Sequence, residues 1–234
     1  MPVFRLPKHE VLFPPVELAE PDGILAVGGD LSVPRLLEAY RNGIFPWYSE
    51  GQPIMWWSPD PRMVLFPSEL HVSRSMRRVL NSGIFEITVD RAFREVMLAC
   101  AALPRPGQDG TWITKAILES YCELHRLGHA HSVEAWKDGF LAGGLYGVML
   151  GRVFYGESMF TREPNASRAA FIPFVKRLER LGFPVIDSQV HTAHLESLGG
   201  RLIPRTDFLG LVKQGLTMPE VTKGELENLV TAGM

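Results

Sequence analysis

Three strand-like stretches that follow one another almost without interruption constrain the fold of this 234-residue chain most strongly. They are His131–Trp136, Leu141–Leu150 and Val153–Phe160, joined by turn sequences at Lys137–Gly139 and Gly151–Arg152. Apolar runs separated by such short, glycine-containing turns predict an antiparallel meander. A helical pattern from about Ala166 to Leu181 and an apolar strand at Pro184–Asp187 come next. This order predicts an α+β fold in which a mixed sheet is flanked by helices, as in N-acyltransferase folds of the acetyltransferase type.

The first part of the chain has a different character, because it is rich in proline, glycine and aromatic residues. One helix is predicted from about Val33 to Asn42, since Pro34 occupies its first turn and Gly43 ends the pattern. The surrounding prolines disfavour regular structure. We therefore expect a small, irregular N-terminal domain over residues 1–62 and a regular catalytic domain over residues 63–234.

The second part contains further patterns on either side of the meander. The predicted strands are Met63–Phe66, Phe85–Val89 and Arg201–Ile203, and the predicted helices are Ser73–Asn81, Asp90–Ala102, Thr114–Leu127, Ala193–Leu198 and Asp207–Gln214. Residues 104–110 are predicted to form a loop. Helices placed before and after the meander supply the apolar faces against which a sheet can be buried.

Composition limits the class of protein. An apolar fraction of 46% supports a substantial core, and no apolar run approaches the ~20 residues that span a bilayer. No signal-peptide pattern opens the chain, so we expect a cytoplasmic protein with Cys100 and Cys122 as free thiols. The net charge of −2 means that any contact with RNA has to use a local basic patch.

Polar residues end the apolar strand where a plain core would not place them. Asp187 and Gln189 are two apart, so on an extended chain their side chains share a face. A carboxylate that accepts an N–H of the carboxamide would orient it and leave the amide oxygen free to accept a hydrogen bond. The alternative is that the pair ends the strand in a solvated loop. Glu157, on a neighbouring predicted strand, favours a functional reading.

The predicted helix after Ser73 carries the local basic signal. Arg74, Arg77 and Arg78 fall within about one third of the helix circumference, and apolar residues occupy the opposite side. Three arginines without acidic partners on that face indicate a phosphate-binding surface. The alternative is an ordinary solvated face.

Several other chemistries are disfavoured by the sequence. The spacing of His125, His129 and His131 fits no metal motif, and no nucleophile elbow is present. A coenzyme A enzyme of this fold would need a glycine-rich loop between Phe160 and Ala166, and residues 161–165 contain no glycine. We therefore expect no cofactor and no metal.

Blocks of sequence along most of the chain resemble those of the leucyl/phenylalanyl-tRNA–protein transferase family. They are Gly43–Trp47, Trp56–Arg62, Leu70–Met76, Gly110–Thr114, Gly128–Glu134, Gly143–Gly147, Gly156–Phe160, Asn165–Ser167 and Ile186–Val190. The resemblance implies an enzyme that moves Leu or Phe, with Met as a further candidate, from aminoacyl-tRNA to proteins with N-terminal Arg or Lys. The modified protein would enter regulated degradation. The resemblance also implies an acetyltransferase-like catalytic domain, and we expect a monomer that does not bind membranes.

The resemblance assigns roles to individual residues. Those expected to bind the terminal adenosine and the amino acid are Trp47, Trp112, Leu145, Phe154, Met159, Phe174 and Ile186. Gln189 would accept a hydrogen of the attacking amine, with Asp187 orienting its carboxamide and Glu157 beside the pair. Arg74 and Arg78 would contact the tRNA phosphates, and Arg77, on the same helix face, is a further candidate for tRNA contact. Asn81 and Ser82 stand where some relatives extend the basic patch, and Leu145 stands where methionine can occur. Two rivals remain open, a small-molecule N-acyltransferase of the same fold and a non-catalytic RNA-binding adaptor.

Overall fold

A small sheet forms from the first part of the chain in the computed structural model, which describes residues 3–103 and 111–227. Its strands are β1 (Phe4–Leu6), β2 (Ile24–Gly28), β3 (Phe45–Pro46) and β4 (Met55–Trp57), in the order β1-β2-β4-β3. Helix α1 (Val33–Arg41) lies between β2 and β3 in sequence, as predicted, and a 3-10 turn covers Val16–Leu18. The expectation of an irregular segment is wrong, because strands of two to five residues between prolines are too short to show an alternating pattern.

Two buried side chains tie this small sheet together. Arg35 of α1 is fully buried, and its guanidinium donates to the carbonyls of Pro7 and Glu10 at 2.8 and 2.9 Å. Trp56 is also fully buried, and its indole N–H donates to the Gly28 carbonyl at 2.9 Å. Long polar side chains thus replace the ladder hydrogen bonds that the proline-rich segment cannot supply.

The second sheet has seven strands in the order β11-β5-β10-β9-β8-β7-β6. They are β5 (Arg62–Leu65), β6 (Glu86–Val89), β7 (Ala130–Lys137), β8 (Phe140–Leu150), β9 (Val153–Thr161), β10 (Val185–Gln189) and β11 (Arg201–Ile203). The predicted meander is confirmed, because β7, β8 and β9 pair antiparallel. Among the described strands of this sheet, only β9 and β10 pair parallel, so the sheet is mixed and the α+β prediction is confirmed. Strand β5 begins at Arg62, and the domain boundary between residues 62 and 63 stays a prediction.

Helices cover both faces of the large sheet. They are α2 (Arg74–Asn81), α3 (Phe93–Ala101), α4 (Lys115–Arg126), α5 (Ala166–Arg180), α6 (Ala193–Ser197), α7 (Arg205–Leu216) and α8 (Lys223–Glu227), and a 3-10 turn covers Pro67–Glu69. Alternation along β8 divides the core, since Tyr146 packs with the cluster that includes α3 and α4, whereas Leu145 packs with the cluster that includes α5. The predicted loop at 104–110 lies outside the described residues.

Glycine brings α5 close to the sheet. A Cβ atom built on Gly143 of β8 would lie 2.7 Å from the Cβ of Ala166, at the first residue of α5. Any side chain at this position would therefore push the helix away from the strand. The connection from β9 through α5 to the parallel strand β10 depends on this close approach.

Candidate active site

A cavity opens where two parallel strands part. Val185–Asp187 of β10 pairs with Val153–Tyr155 of β9, but β9 continues to Thr161 beside β8, while β10 ends at Gln189. The resulting space, called here the central cavity, has a volume of about 390 Å³. Ligand sites commonly form where neighbouring strands separate, because main-chain and side-chain groups converge there without filling the gap. Both strands contribute residues to its walls.

The two predicted adenosine-stacking tryptophans lie at the same cavity. Trp47 follows β3 of the small sheet and Trp112 precedes α4 of the other part of the chain, and both line the central cavity. The main-chain carbonyl of Trp47 accepts a hydrogen bond of 2.7 Å from the indole of Trp57. Aromatic faces at a cavity wall can stack on a nucleobase. Their binding of adenosine stays a prediction.

Only some of the apolar residues predicted to bind the amino acid line the central cavity. Leu145, Met159 and Ile186 line the central cavity. Phe154 and Phe174 do not, contrary to the prediction. Both are fully buried, and their ring centroids lie 4.8 Å apart in an edge-to-face contact within the core.

Core packing accounts for this correction. Phe154 pairs with Ile186 between β9 and β10, and its ring packs against Phe174 of α5 rather than into the cavity. Phe171, three residues before Phe174 on α5, lines the central cavity instead. Residues three apart on a helix share a face, so Phe171 lies on the same side of α5 as Phe174, one turn earlier.

Glu157 and Gln189 line the central cavity and are hydrogen-bonded to each other. The carboxamide of Gln189 donates from Nε2 to Glu157 Oε1 at 2.9 Å. Glu157 also accepts from the Tyr40 hydroxyl at 2.8 Å on the same oxygen and from the Tyr121 hydroxyl at 3.4 Å on the other. The two tyrosine hydroxyls are in turn hydrogen-bonded to each other. Glu157, rather than Asp187, therefore orients the carboxamide of Gln189.

Burial changes the acidity of Glu157. Removal of the carboxyl from water is the largest cause of a raised pKa, the charge of Asp187 adds to the rise, and the hydrogen bonds from Tyr40, Gln189 and Tyr121 oppose it, which together raise the pKa of Glu157 to about 8. The carboxyl thus exchanges its proton near neutral pH. Such a shift, in a cavity, is typical of groups that take part in proton transfer.

Asp187 does not orient the carboxamide. Its carboxylate is bound by Arg62, with Nε and Nη2 at 2.8 and 2.7 Å, and it accepts from the main-chain N–H of Gln189 at 2.9 Å. The expected shared face is wrong, because the strand is not extended here. The pairing register shifts between Asp187 and Gln189, and Gln189 has a φ of 63°. This left-handed residue sends its side chain to Glu157 instead.

Arg62 is a functional candidate that the sequence analysis missed. Its guanidinium lies between the rings of Phe45 and Phe208, at 4.8 and 4.7 Å from their centroids. Phe45 lines the central cavity, so the buried ion pair supports that wall from behind. No local sequence pattern reveals this, because the partner carboxylate is 125 residues away along the chain.

Helix α2 carries the three arginines of the predicted basic patch. Ser73 caps α2 by accepting from the Met76 main-chain N–H, and Met76 is the buried residue of this helix. Arg74, Arg77 and Arg78 are exposed, and none of them forms an ion pair within the described part of the chain. They remain candidates for phosphate contact.

The sequence is similar along most of its length to proteins of one family. A model of the leucyl/phenylalanyl-tRNA protein transferase family matches residues 64–213, and a model of the N-terminal domain of that family matches residues 29–60. The chain belongs to this family. A leucyl/phenylalanyl-tRNA–protein transferase of Syntrophobacter fumaroxidans is 59% identical over 225 residues, covering 96% of this chain and 95% of that protein. One from Nitrosospira multiformis is 60% identical over 205 residues, covering 87% and 88%.

Solved structures are more distant from this member of the leucyl/phenylalanyl-tRNA protein transferase family. A GCN5-related N-acetyltransferase from Kribbella flavida has a TM-score of 0.36 and 12% identity, and the match covers 72% of this chain and 59% of that one. A GCN5-related N-acetyltransferase-like protein from Streptococcus suis has a TM-score of 0.35 and 16% identity, covering 71% and 61%. The family assignment rests on the sequence matches.

Among residues 3–103 and 111–227, no cluster of three or more His, Cys, Asp or Glu side chains could hold a metal ion. His131 instead donates to or accepts from Asp90 at 2.8 Å, which ties the start of the α3 segment to β7. Cys100 and Cys122, both among the described residues, are not joined in a disulfide bond. None of the described helices is both long enough and apolar enough to cross a bilayer.

Proposed function

We propose that this protein is an aminoacyltransferase that moves Leu or Phe from aminoacyl-tRNA to the N-terminal Arg or Lys of acceptor proteins. Acting as a monomer in the cytoplasm, it would mark those proteins for degradation. The relatives are named leucyl/phenylalanyl-tRNA–protein transferases, which supports a charged tRNA as donor and a protein as acceptor.

The observation that carries the proposal is the combination of apolar side chains and two hydrogen-bonded polar side chains in the lining of the central cavity. Leu145, Met159 and Ile186 offer the apolar surface that a Leu or Phe side chain would bury. Glu157 and Gln189 line the same cavity, and the ester carbon of the donor would meet the amine of the acceptor beside them. The cavity thus matches both a medium-sized apolar amino acid and the chemistry of its carbonyl group.

The reaction requires the protein mainly to position the donor ester and the acceptor amine. The donor is an activated ester, and an α-amine with a pKa of ~7.7–8.0 is partly neutral near pH 7. Holding the two in contact supplies most of the rate enhancement that a reaction of this type needs. This agrees with a site built from a carboxamide and a carboxyl rather than from an activated nucleophile.

Gln189 is the group that we assign to the amine. Glu157 accepts from its Nε2, so the orientation of the carboxamide is fixed, and its Oε1 accepts no hydrogen bond from any residue in the described ranges. That oxygen can accept an N–H of the incoming amine and direct the nitrogen lone pair at the ester. A neutral carboxamide is a weak base, so its role is orientation.

A transfer assay tests the proposal directly. The protein is incubated with leucyl-tRNA and a peptide that begins with Arg, and mass spectrometry detects the addition of one leucine. The same peptide with an acetylated N-terminus and a peptide that begins with Glu serve as matched controls. We expect product with the first peptide alone. Absence of product with the Arg peptide, or equal product with the Glu peptide, would contradict the proposed acceptor.

A further inference from the structure

Glu157, Tyr40 and Tyr121 form a closed ring of hydrogen-bond contacts behind Gln189. Tyr40 comes from α1, Tyr121 from α4 and Glu157 from β9. Both tyrosines are fully buried, whereas Glu157 is 8% exposed and lines the central cavity. Each member touches the other two, through Tyr40 to Glu157 Oε1, Tyr121 to Glu157 Oε2, and the contact between the hydroxyls.

Counting protons shows what this ring can hold. With Glu157 ionised, the two hydroxyls supply two protons for three contacts, so one contact lacks a hydrogen. With Glu157 protonated, three protons serve three contacts, because Oε2–H donates to Tyr121, Tyr121 to Tyr40, and Tyr40 to Oε1. Gln189 donates to Oε1 in both states. The ring can therefore accept or release one proton while its three side chains stay in contact. Hydrogen bonds in such a network strengthen one another cooperatively.

The charges around the ring do not prevent this exchange. Asp187 faces it from β10, and its charge is paired with Arg62 of β5. Burial and the charge of Glu157 hold the pKa of both tyrosines well above their usual value, so both stay protonated at neutral pH. The pKa of Glu157, raised to about 8, lies close to the ~7.7–8.0 of a peptide α-amine. Proton transfer between groups of matched acidity is close to thermoneutral.

We propose that Glu157 carries a proton from the acceptor amine to the departing tRNA, and that Tyr40 and Tyr121 are positioning residues that hold the carried proton. The proposal rests on the proposed function and assigns that reaction its proton carrier. The tyrosines do not line the central cavity, so they act through Glu157.

The proton inventory of the reaction balances. As the amine nitrogen bonds to the ester carbon, one N–H bond breaks and the Glu157 O–H bond forms, which fills the ring. When the carbon–oxygen bond to the tRNA breaks, the Glu157 O–H bond breaks and the ribose oxygen gains that proton. The products are an amide and a ribose hydroxyl, and Glu157 is ionised again. No oxidant, reductant or metal enters the step.

Three variants separate proton transfer from packing. Glu157→Gln copies the filled ring, since its oxygen accepts from Tyr40 and Gln189 while its NH₂ donates to Tyr121, but it cannot accept a proton. Tyr121→Phe removes one donor to the ionised carboxylate. Tyr155→Phe is the matched control, because the Tyr155 hydroxyl is also buried but donates to the Tyr40 main-chain carbonyl, outside the ring.

The measurements are the dependence of kcat on pH and the infrared band of the protonated carboxyl, assigned through Glu157→Gln. We expect Glu157→Gln to lower kcat by roughly 10²- to 10⁴-fold, with donor affinity unchanged. Tyr121→Phe should move the acidic limb of kcat and the midpoint of the infrared band upward by about one pH unit, since a hydrogen bond to the charged form is lost. Tyr155→Phe should leave both unchanged.

The outcomes distinguish this inference from the proposed function. Absence of product with the unaltered protein overturns the proposed function, and the infrared titration then decides alone whether the ring exchanges a proton. If the unaltered protein is active but Glu157→Gln keeps kcat within a few-fold, Glu157 carries no proton. Coinciding pH midpoints for Tyr121→Phe and the unaltered protein would overturn the role of the ring.

Discussion

Arg62 and Asp187 form a bidentate ion pair that is shielded from solvent on every side, with nitrogen–oxygen distances of 2.8 and 2.7 Å. Two buried charges offset the loss of hydration only while both are present and well aligned. The pair joins the first strand of the large sheet to the strand that ends at Gln189. Its main contribution is therefore to hold β10 in place rather than to touch the substrate.

Asp187→Asn should destabilise the fold, because it leaves the Arg62 charge buried without a counter-charge. We expect the free energy of unfolding to fall by about 3 to 5 kcal/mol, measured by urea denaturation near pH 7. Glu69→Gln, which breaks the exposed contact between Arg201 and Glu69, is the control and should leave the midpoint almost unchanged. A variant with normal stability but low kcat would instead place Asp187 in the chemistry.

Gln189→Asn tests the orienting carboxamide. Asparagine tolerates the left-handed backbone at this position, but its side chain is one methylene too short to keep the contact with Glu157. We expect kcat to fall by roughly 10²-fold with little change in KM for the donor, because the interaction acts on the attacking amine. Steady-state transfer assays measure both constants, and Ser188→Ala, at the neighbouring cavity position, is the control. Unchanged turnover would remove Gln189 from the mechanism.

Met159→Ala tests the apolar lining of the central cavity. Met159 lies opposite Leu145 in the pairing of β8 and β9, and both line the central cavity. Removing the long side chain widens the space for branched side chains, so the preference for leucyl- over isoleucyl-tRNA in kcat/KM should fall by roughly tenfold. Met149→Ala makes the same change in the core outside the cavity and should keep the preference. Equal selectivity in the two variants would argue against a pocket role for Met159.

Arg74→Ala tests the basic surface on α2. If Arg74 contacts a tRNA phosphate, its removal should weaken binding at low salt and reduce the slope of log K against log salt by about one. Binding is measured by filter retention or anisotropy across a salt series. Arg201→Ala, which removes an exposed arginine that pairs with Glu69, is the matched control and should leave the slope unchanged. An unaltered slope for Arg74→Ala would contradict the assignment.

Glu157→Gln also makes a prediction about stability. The folded pKa of Glu157, about 8, lies above the ordinary value of 4.5, so the folded state binds this proton more tightly than the unfolded chain. Its contribution to stability is fully present below about pH 4.5 and is lost as the pH rises through about 8. The variant should gain stability relative to the unaltered protein between pH 5 and 9, on the order of 4 kcal/mol. Parallel stability curves across this range would contradict the buried, proton-binding carboxyl.

The patterns that sequence predicted correctly are local ones. The meander follows from apolar runs and turn residues, and the helices of the second part begin and end close to their predicted bounds because caps such as Ser73 and Thr114 have short-range signals. Glu157 and Gln189 stood out as polar groups at strand ends. These features depend on neighbours a few residues away.

The features that sequence did not predict depend on contacts between distant segments. The hydroxyl of Tyr40 on α1 reaches Glu157, 117 residues further along the chain. The hydroxyl of Tyr121 on α4 likewise donates to Glu157, 36 residues further along the chain. The contact expected between Asp187 and the carboxamide of Gln189 failed because a register shift redirects one side chain. Alternation rules hold only while a strand remains extended.

The ring that joins Tyr40 to Tyr121 and Glu157 has a consequence for how such enzymes can be recombined. Tyr40 lies in the region matched by the N-terminal family model, and its two partners lie in the region matched by the other. A hybrid that takes these regions from two relatives will keep its proton carrier only if the two parents place α1 and α4 at compatible distances. Helices α1 and α4 therefore have to be exchanged together, because the buried hydroxyls of Tyr40 and Tyr121 are in contact although the two residues are 81 positions apart along the chain.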